Sequence, residues 1–145
     1  MADDRLVEVT HKLYEEVFNR GNLSAINECV DANLIEHQPL GPNMPEGREG
    51  LRQWVIMIRQ AFPDVKFKIH DLVIDGDKVW VRSMMSGTQK GEMMGLPPTG
   101  KSVEVEAIDI IRFSQGKMIE HWGVFDQMIM LQQLGVAQTI GEQRH

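Results

Sequence analysis

The sequence is poor in the residues that staple a fold, span a bilayer or bind polyanions. Its 145 residues include a single cysteine, Cys29. No internal disulfide can form, and a reducing cytoplasm is the expected setting. Cys29 itself reads as a buried thiol. No apolar run approaches the roughly 20 residues of a membrane span. The start, MADDRLVEV, is acidic and lacks the apolar stretch of a secretory leader. Fifteen Lys and Arg stand against 21 Asp and Glu, a net charge of −6, with no basic cluster. A nucleic-acid partner is therefore not expected, because phosphate contacts need a basic face. Repeats, low-complexity tracts and linkers are also missing. One domain over residues 1–145 is expected, with 136–145 as a loose polar tail.

What is present is patterned. Leu6, Val9, Leu13 and Val17 recur at helical spacing, with Asp3 or Asp4 as a cap and "RGN" as the end. "LSAINECV" suits a short second helix, and "DANLIEHQPLGPNMPEG" suits a loop rich in Pro, Gly and Asn. Leu51, Trp54, Val55, Ile58 and Phe62 form one face of a third helix, stopped by Pro63. The period then changes to two. "VKFKIHDLVI", "KVWVRSMMSGTQK", "SVEVEAIDIIRFS" and "MIEHWGVF" read as four strands, joined by "DGD", by the loop "GEMMGLPPTGK" and by "QGK". Asp126 then caps a final helix, "QMIMLQQL". Three helices, a four-strand meander and a short helix make an α+β fold: a curved antiparallel sheet with helices on its concave face, shaped as a cone whose mouth is a small-molecule pocket. Ten methionines suit an adaptable apolar pocket or subunit contact.

The stretches "FNRGNLSAINECV", "PEGREGLRQWV", "GEMMGLPPTGKSVEVEAIDIIRFSQGKMIEHW" and "QQLG" resemble the SnoaL-like polyketide cyclases, in order, over roughly residues 6 to 136. The resemblance implies the nuclear-transport-factor-like (cystatin-like) α+β barrel, a fold that hosts many chemistries and also non-enzymes. For the cyclases it implies intramolecular aldol closure by a pocket carboxylate, with no metal or cofactor. It also places the catalytic Asp two residues after the histidine that matches His121. That position here is Gly123. A pocket histidine is replaced by Asp109, a pocket glutamine by Ala107, and an asparagine falls near Glu36 and His37. A tyrosine on the first helix, as in ketosteroid isomerases of the same fold, matches Tyr14 as an oxyanion donor.

Strand alternation selects the candidate site. With Gly123 facing inward, so do Ile119, His121 and Phe125, and on the preceding strand Val103, Val105, Ala107, Asp109 and Ile111. Asp109 and His121 then come within reach across the hairpin. A carboxylate among isoleucines is costly to bury without a partner, so Asp109 is either a proton-abstracting base or a structural acid bonded to Arg82, Arg112 or backbone. His121 and His37 are pocket proton carriers or else satisfied structural histidines. Glu36 is less favoured, because a strand-like "LIEH" turns it away from His37. Trp54 shapes a wall, Gln89 is a polar candidate, and Met93, Met94 and Leu96 suit an apolar lid. Tyr14, Trp54, Gln89, Met93, Gly123 and Phe125 are the expected ligand contacts. His37, Asp109 and His121 lack metal-ligand spacing, and no metal is expected.

The outer sheet face would carry Trp80, Met84, Ile108, Ile110 and Trp122, an apolar patch that suits a homodimer contact. The reading that follows is a cytoplasmic, cofactor-free enzyme working by acid/base chemistry on an apolar carbonyl compound, through aldol cyclisation or isomerisation. Two alternatives stand beside it. One is a non-catalytic ligand-binding or accessory protein, favoured by Gly123. The other is an epoxide-type hydrolase, which needs two acids and an arginine around a water, whereas Arg82 and Arg112 point outward.

Overall fold

The computed structural model describes residues 2–38, 41 and 43–136. Most of the expected tail, 137–145, lies outside the described residues. The chain opens with α1 (Ala2–Lys12), continued by π-helical turns over Leu13–Asn19. The helix is already under way at Ala2, ahead of the expected Asp cap. The wider π turns bury the adjacent Leu13 and Tyr14 together with Val17. Gly21, at φ 69°, ends the segment, and the Arg59 guanidinium closes it by donating to the carbonyls of Phe18 and Asn19 at 3.1 and 2.8 Å. Asn19 then grips the sheet edge. Its Nδ2 donates to the Phe67 carbonyl at 3.0 Å, and its Oδ1 accepts from the Phe67 amide at 2.6 Å.

A 3₁₀ turn (Leu23–Ala25) leads into the short α2 (Ile26–Cys29), and Cys29 is buried. The next segment corrects the sequence expectation. Val30, read there as the end of the second helix, and Asp31–Glu36, read as loop, form the strand β1. After α3 (Gly47–Ala61) come β2 (Lys66–Asp75), β3 (Lys78–Thr88), β4 (Ser102–Ser114) and β5 (Lys117–Phe125). They form one five-stranded sheet in the order β1-β5-β4-β3-β2. The meander is antiparallel, whereas β1 runs parallel to β5. Finally α4 (Gln127–Gln133) starts at Asp126, whose carboxylate accepts from the Ile129 amide at 3.1 Å, the cap that the sequence predicts.

The two sheet faces divide the chemistry. On β3, Val79, Val81, Ser83 and Met85 face the helices and are buried. On β4, Val103, Val105 and Ile111 are buried, with Ala107 and Asp109 half-buried between them. On β5 a bulge intervenes: Arg112 pairs with Glu120 but Phe113 pairs with Met118. The extra residue, Ile119, is left half-buried and Met118 enters the core in its place, correcting the inward placement read from simple alternation. Phe18, Trp54 and Phe67 pack edge to face or tilted, with centroids 5.6 to 6.1 Å apart, and join α3 to the sheet. No helix among the described residues is long and apolar enough to cross a membrane.

Candidate functional site

Between the sheet and the helices lies a cavity of about 230 Å³. Its walls are mainly apolar, built by Phe18, Trp54, Phe67, Met85, Met118 and Phe125 among others. Four ionisable side chains meet at one part of this wall: Tyr14, Glu36, Asp109 and His121.

Strand pairing puts them there. Asp109 on β4 pairs with Gly123, and His121 sits one inward position away on β5, opposite Ile111. Across the other edge of β5, Glu36 pairs directly with His121. The result is a continuous chain. His121 Nδ1 lies 2.6 Å from Glu36 Oε1, and Nε2 lies 2.7 Å from Asp109 Oδ1. Tyr14 donates its hydroxyl to Asp109 Oδ2 at 3.1 Å. Glu36 Oε1 also accepts the Gln38 amide proton at 2.9 Å.

Burial pushes the His121 imidazole down, but hydrogen bonds and charges from Asp109 and Glu36 outweigh it and hold its pKa up at about 9. Near neutral pH the ring is therefore an imidazolium that donates from both nitrogens. Burial, and then the neighbouring Asp109 carboxylate, keep the Tyr14 phenol well above its ordinary value. Two carboxylates and one imidazolium leave this wall with a net negative charge. Such a group can take up a proton from a weak carbon acid and return it, which is the work of a general base and its conjugate acid.

Several residues named from sequence lie elsewhere. His37 does not enter the cavity. It points to the outer face, where its ring stacks on Trp122 at 4.8 Å and Nε2 meets Glu120 at 2.7 Å. The alternation that turns Glu36 inward necessarily turns His37 out. The candidate metal set of His37, Asp109 and His121 is consequently not brought together. Gln89 does not line the cavity either. Fully buried, it donates to the carbonyls of Gly91, Leu96 and Pro97 and accepts from the amide and hydroxyl of Thr99, clamping the loop that follows β3. At the tip of that loop Met94 and Gly95, at φ 50° and 84°, make a tight turn between Met93 and Leu96. Met93 and Met94 line the cavity, as do Trp54 and Phe125. Arg82 pairs with Asp71 and Glu106, and Arg112 with Glu120, all away from the cavity.

Sequence reasoning undervalued Glu36 and missed Gln38. The signal for Glu36 was the alternation of Leu34 and Glu36 with Ile35 and His37. For Gln38 no sequence signal was available, because its position depends on Gly123. A Cβ on Gly123 would lie 2.5 Å from Gln38 Oε1, 2.7 Å from Asp109 Oδ1 and 3.0 Å from His121 Cε1. The Gly123 backbone is not in the left-handed region. A larger residue here would have to displace these side-chain ends, so the constraint is one of space and not of conformation.

Comparisons with known proteins agree with this architecture. The profile of the SnoaL-like polyketide cyclase family matches residues 8–134. Nogalonic acid methyl ester cyclase of Streptomyces nogalater is 24% identical over 120 residues, covering 81% of this chain and 89% of the relative. Aklanonic acid methyl ester cyclase DnrD of Streptomyces peucetius is 27% identical over 124 residues, covering 83% and 84%. Among solved structures, TsrD from Streptomyces laurentii superposes with a TM-score of 0.85 at 25% identity, covering 92% of this chain and 97% of that one. IdmH from Streptomyces antibioticus superposes at 0.79 with 34% identity, covering 90% and 98%.

Two predictions follow from this geometry. Gly123→Asp forces a side chain onto Gln38 and Asp109 and adds a like charge beside Asp109. It should lower stability by about 1–3 kcal/mol, read by urea unfolding; unchanged stability would contradict the packing described. The second concerns His121, whose folded pKa is raised above the ordinary value of 6.5. The stability it contributes is fully present below about pH 6.5 and is lost as pH rises through about 9. Glu36→Gln removes one of the two negative charges, so the His121 titration followed by NMR should move to lower pH. A titration that stays in place would mean that Glu36 does not charge the ring.

Proposed function

The chain belongs to the SnoaL-like polyketide cyclase family, and on that footing we propose that it closes a ring in an uncharged polyketide keto ester by a cofactor-free intramolecular aldol reaction. The observation that carries this reading is the Glu36–His121–Asp109–Tyr14 chain on the wall of an apolar cavity.

In this reading Asp109 is the base. Each of its oxygens accepts one bond, from His121 or from Tyr14, and each retains a second lone pair. The α C–H bond of the substrate breaks, its proton goes to the Asp109 carboxylate, and the electron pair moves onto the carbonyl oxygen as an enolate. The enolate carbon then bonds to a second carbonyl carbon of the same molecule, and the alkoxide so formed takes the proton back from Asp109. Atoms and charge balance without a co-reactant. His121 keeps a positive charge beside Asp109 throughout and fixes the carboxylate's orientation, and Glu36 fixes the ring. Asp109 thus takes the role that the family resemblance assigns to the position of Gly123. Among the described residues that line the cavity there is no lysine or arginine, whereas two are carboxylates. A ligand bearing a free carboxylate would meet like charge there, so an ester suits the site better than its acid.

The reading is tested with aklanonic acid methyl ester or nogalonic acid methyl ester as substrate. Asp109→Asn should lower turnover by a factor on the order of 10² or more while leaving the fold unchanged by circular dichroism. Full turnover in that variant would remove Asp109 from the mechanism. A second reading, a ligand-binding protein without turnover, is favoured by one observation: Asp109, His121 and Tyr14 are all engaged with one another. It predicts ligand affinity without product in the unmodified protein.

Dimerisation through the outer sheet face belongs to the same proposal. Val73, Trp80, Ile110 and Trp122 follow one another across four strands. Val73, Trp80, Ile108 and Val124 are 61%, 44%, 43% and 67% exposed. Of the residues expected there, Met84, Ile110 and Trp122 are half-buried. Sedimentation velocity should give a dimer, and Trp80→Glu combined with Ile108→Lys should give a monomer. A monomeric unmodified protein would reject this contact.

A further inference from the structure

An enolate needs a hydrogen-bond donor at its oxygen, and the donors anticipated for that task are engaged elsewhere. Tyr14 has one hydroxyl proton and gives it to Asp109. His121, as an imidazolium, spends both N–H groups on carboxylates. His37 lies on the outer face. Gln38 remains. It lines the cavity, and its amide oxygen and the Asp109 Oδ1 both lie within 2.7 Å of the point where a side chain on Gly123 would begin. The amide fills the space that Gly123 leaves open, directly beside the proposed base. Its backbone is held by the bond from its N–H to Glu36 Oε1, the same atom that holds His121. The two ends of the amide exchange by a half-turn about its last bond, so either its N–H₂ or its oxygen can face the ligand.

We propose that Gln38 is a catalytic residue of this cavity, donating from its amide N–H₂ to the carbonyl oxygen of the ligand whose α-carbon sits over Asp109. The inference rests on the cyclase reading for its consequence in turnover, but the recognition of oxygen next to Asp109 stands independently of it. As negative charge builds on the oxygen during proton abstraction, the bond from Gln38 strengthens. Its contribution should therefore fall on kcat more than on KM. Gly123 is then a specificity-determining residue, because its lack of a side chain admits the amide.

The test uses two probes on the full chain. Aklanonic acid methyl ester reports turnover. 2-Naphthol, an aromatic hydroxyl whose oxygen imitates the enolate oxygen, reports binding by fluorescence, with naphthalene as its oxygen-free counterpart. Gln38→Ala, and the size-matched Gln38→Met, should lower kcat by a factor on the order of 10 to 10² with a smaller change in KM. They should weaken 2-naphthol about tenfold while changing naphthalene affinity less than about twofold. A variant that merely damaged the fold would weaken both aromatics, and Gln38→Met showing that pattern as well would overturn the assignment. So would unchanged kcat and unchanged 2-naphthol affinity alongside a dead Asp109→Asn variant, which would leave the cyclase reading intact. If the unmodified protein shows no turnover, selective loss of 2-naphthol still supports Gln38 as the oxygen donor, and its retention overturns it.

Discussion

An imidazolium held between two carboxylates is the interaction on which the cavity depends. His121 is taken out of water at a cost, and a charged group so placed is tolerated only when its hydrogen bonds and counter-charges are close. Here they come from β1 and β4, on either side of the β5 strand that bears His121. The strand order of the sheet and the charge of the ring are thus one fact seen twice. Shifting β1 by a single residue would bring His37 inward and take Glu36 out, leaving His121 with Asp109 alone. Tyr14 adds the helical layer to the same chain. The π turns of the first helix bury it against the acid, so helix, sheet centre and sheet edge converge on a few polar atoms in an otherwise apolar space.

The resemblance of the chain to its family is broken where an acid would be expected, at Gly123. The space is not empty. Gln38 reaches into it from the end of β1, and Asp109 approaches from β4. In the proposed reading the acidic function comes from β4 instead, with the Gln38 amide beside it from the end of β1. Residues facing one cavity from adjacent strands lie a few ångströms apart, so a polar group can be supplied to one point of the cavity from more than one strand.

Much of this was legible in the amino-acid order. Period-two patterning located the four meander strands and put Asp109 and His121 on one face, and Asp126 announced itself as a helix cap. The losses have physical causes. β1 is short, precedes a run rich in Pro and Gly, and is paired with β5, some 85 residues away in the chain. The alternation in "LIEH" is too brief to mark such a strand by itself. With β1 unrecognised, Glu36 and His37 exchanged roles. The β5 bulge defeated simple alternation at Ile119 because an extra residue changes face without changing composition. Gln89 looked like a ligand contact because polar residues near a pocket mouth often are. Its donors are instead consumed by backbone carbonyls of the loop beside it, and its acceptor by the amide and hydroxyl of Thr99.

That clamp separates two properties of the rim. The loop after β3 is anchored at its base by one buried side chain, through bonds to main-chain carbonyls of Gly91, Leu96 and Pro97 that do not depend on which side chains the tip carries. Met93 and Met94 ride on this anchored frame and meet the cavity contents. Exchange of Met93 or Met94 can therefore recut the entrance for a ligand of another outline while these bonds stay in place, whereas Gly95, at φ 84°, is held by the turn itself.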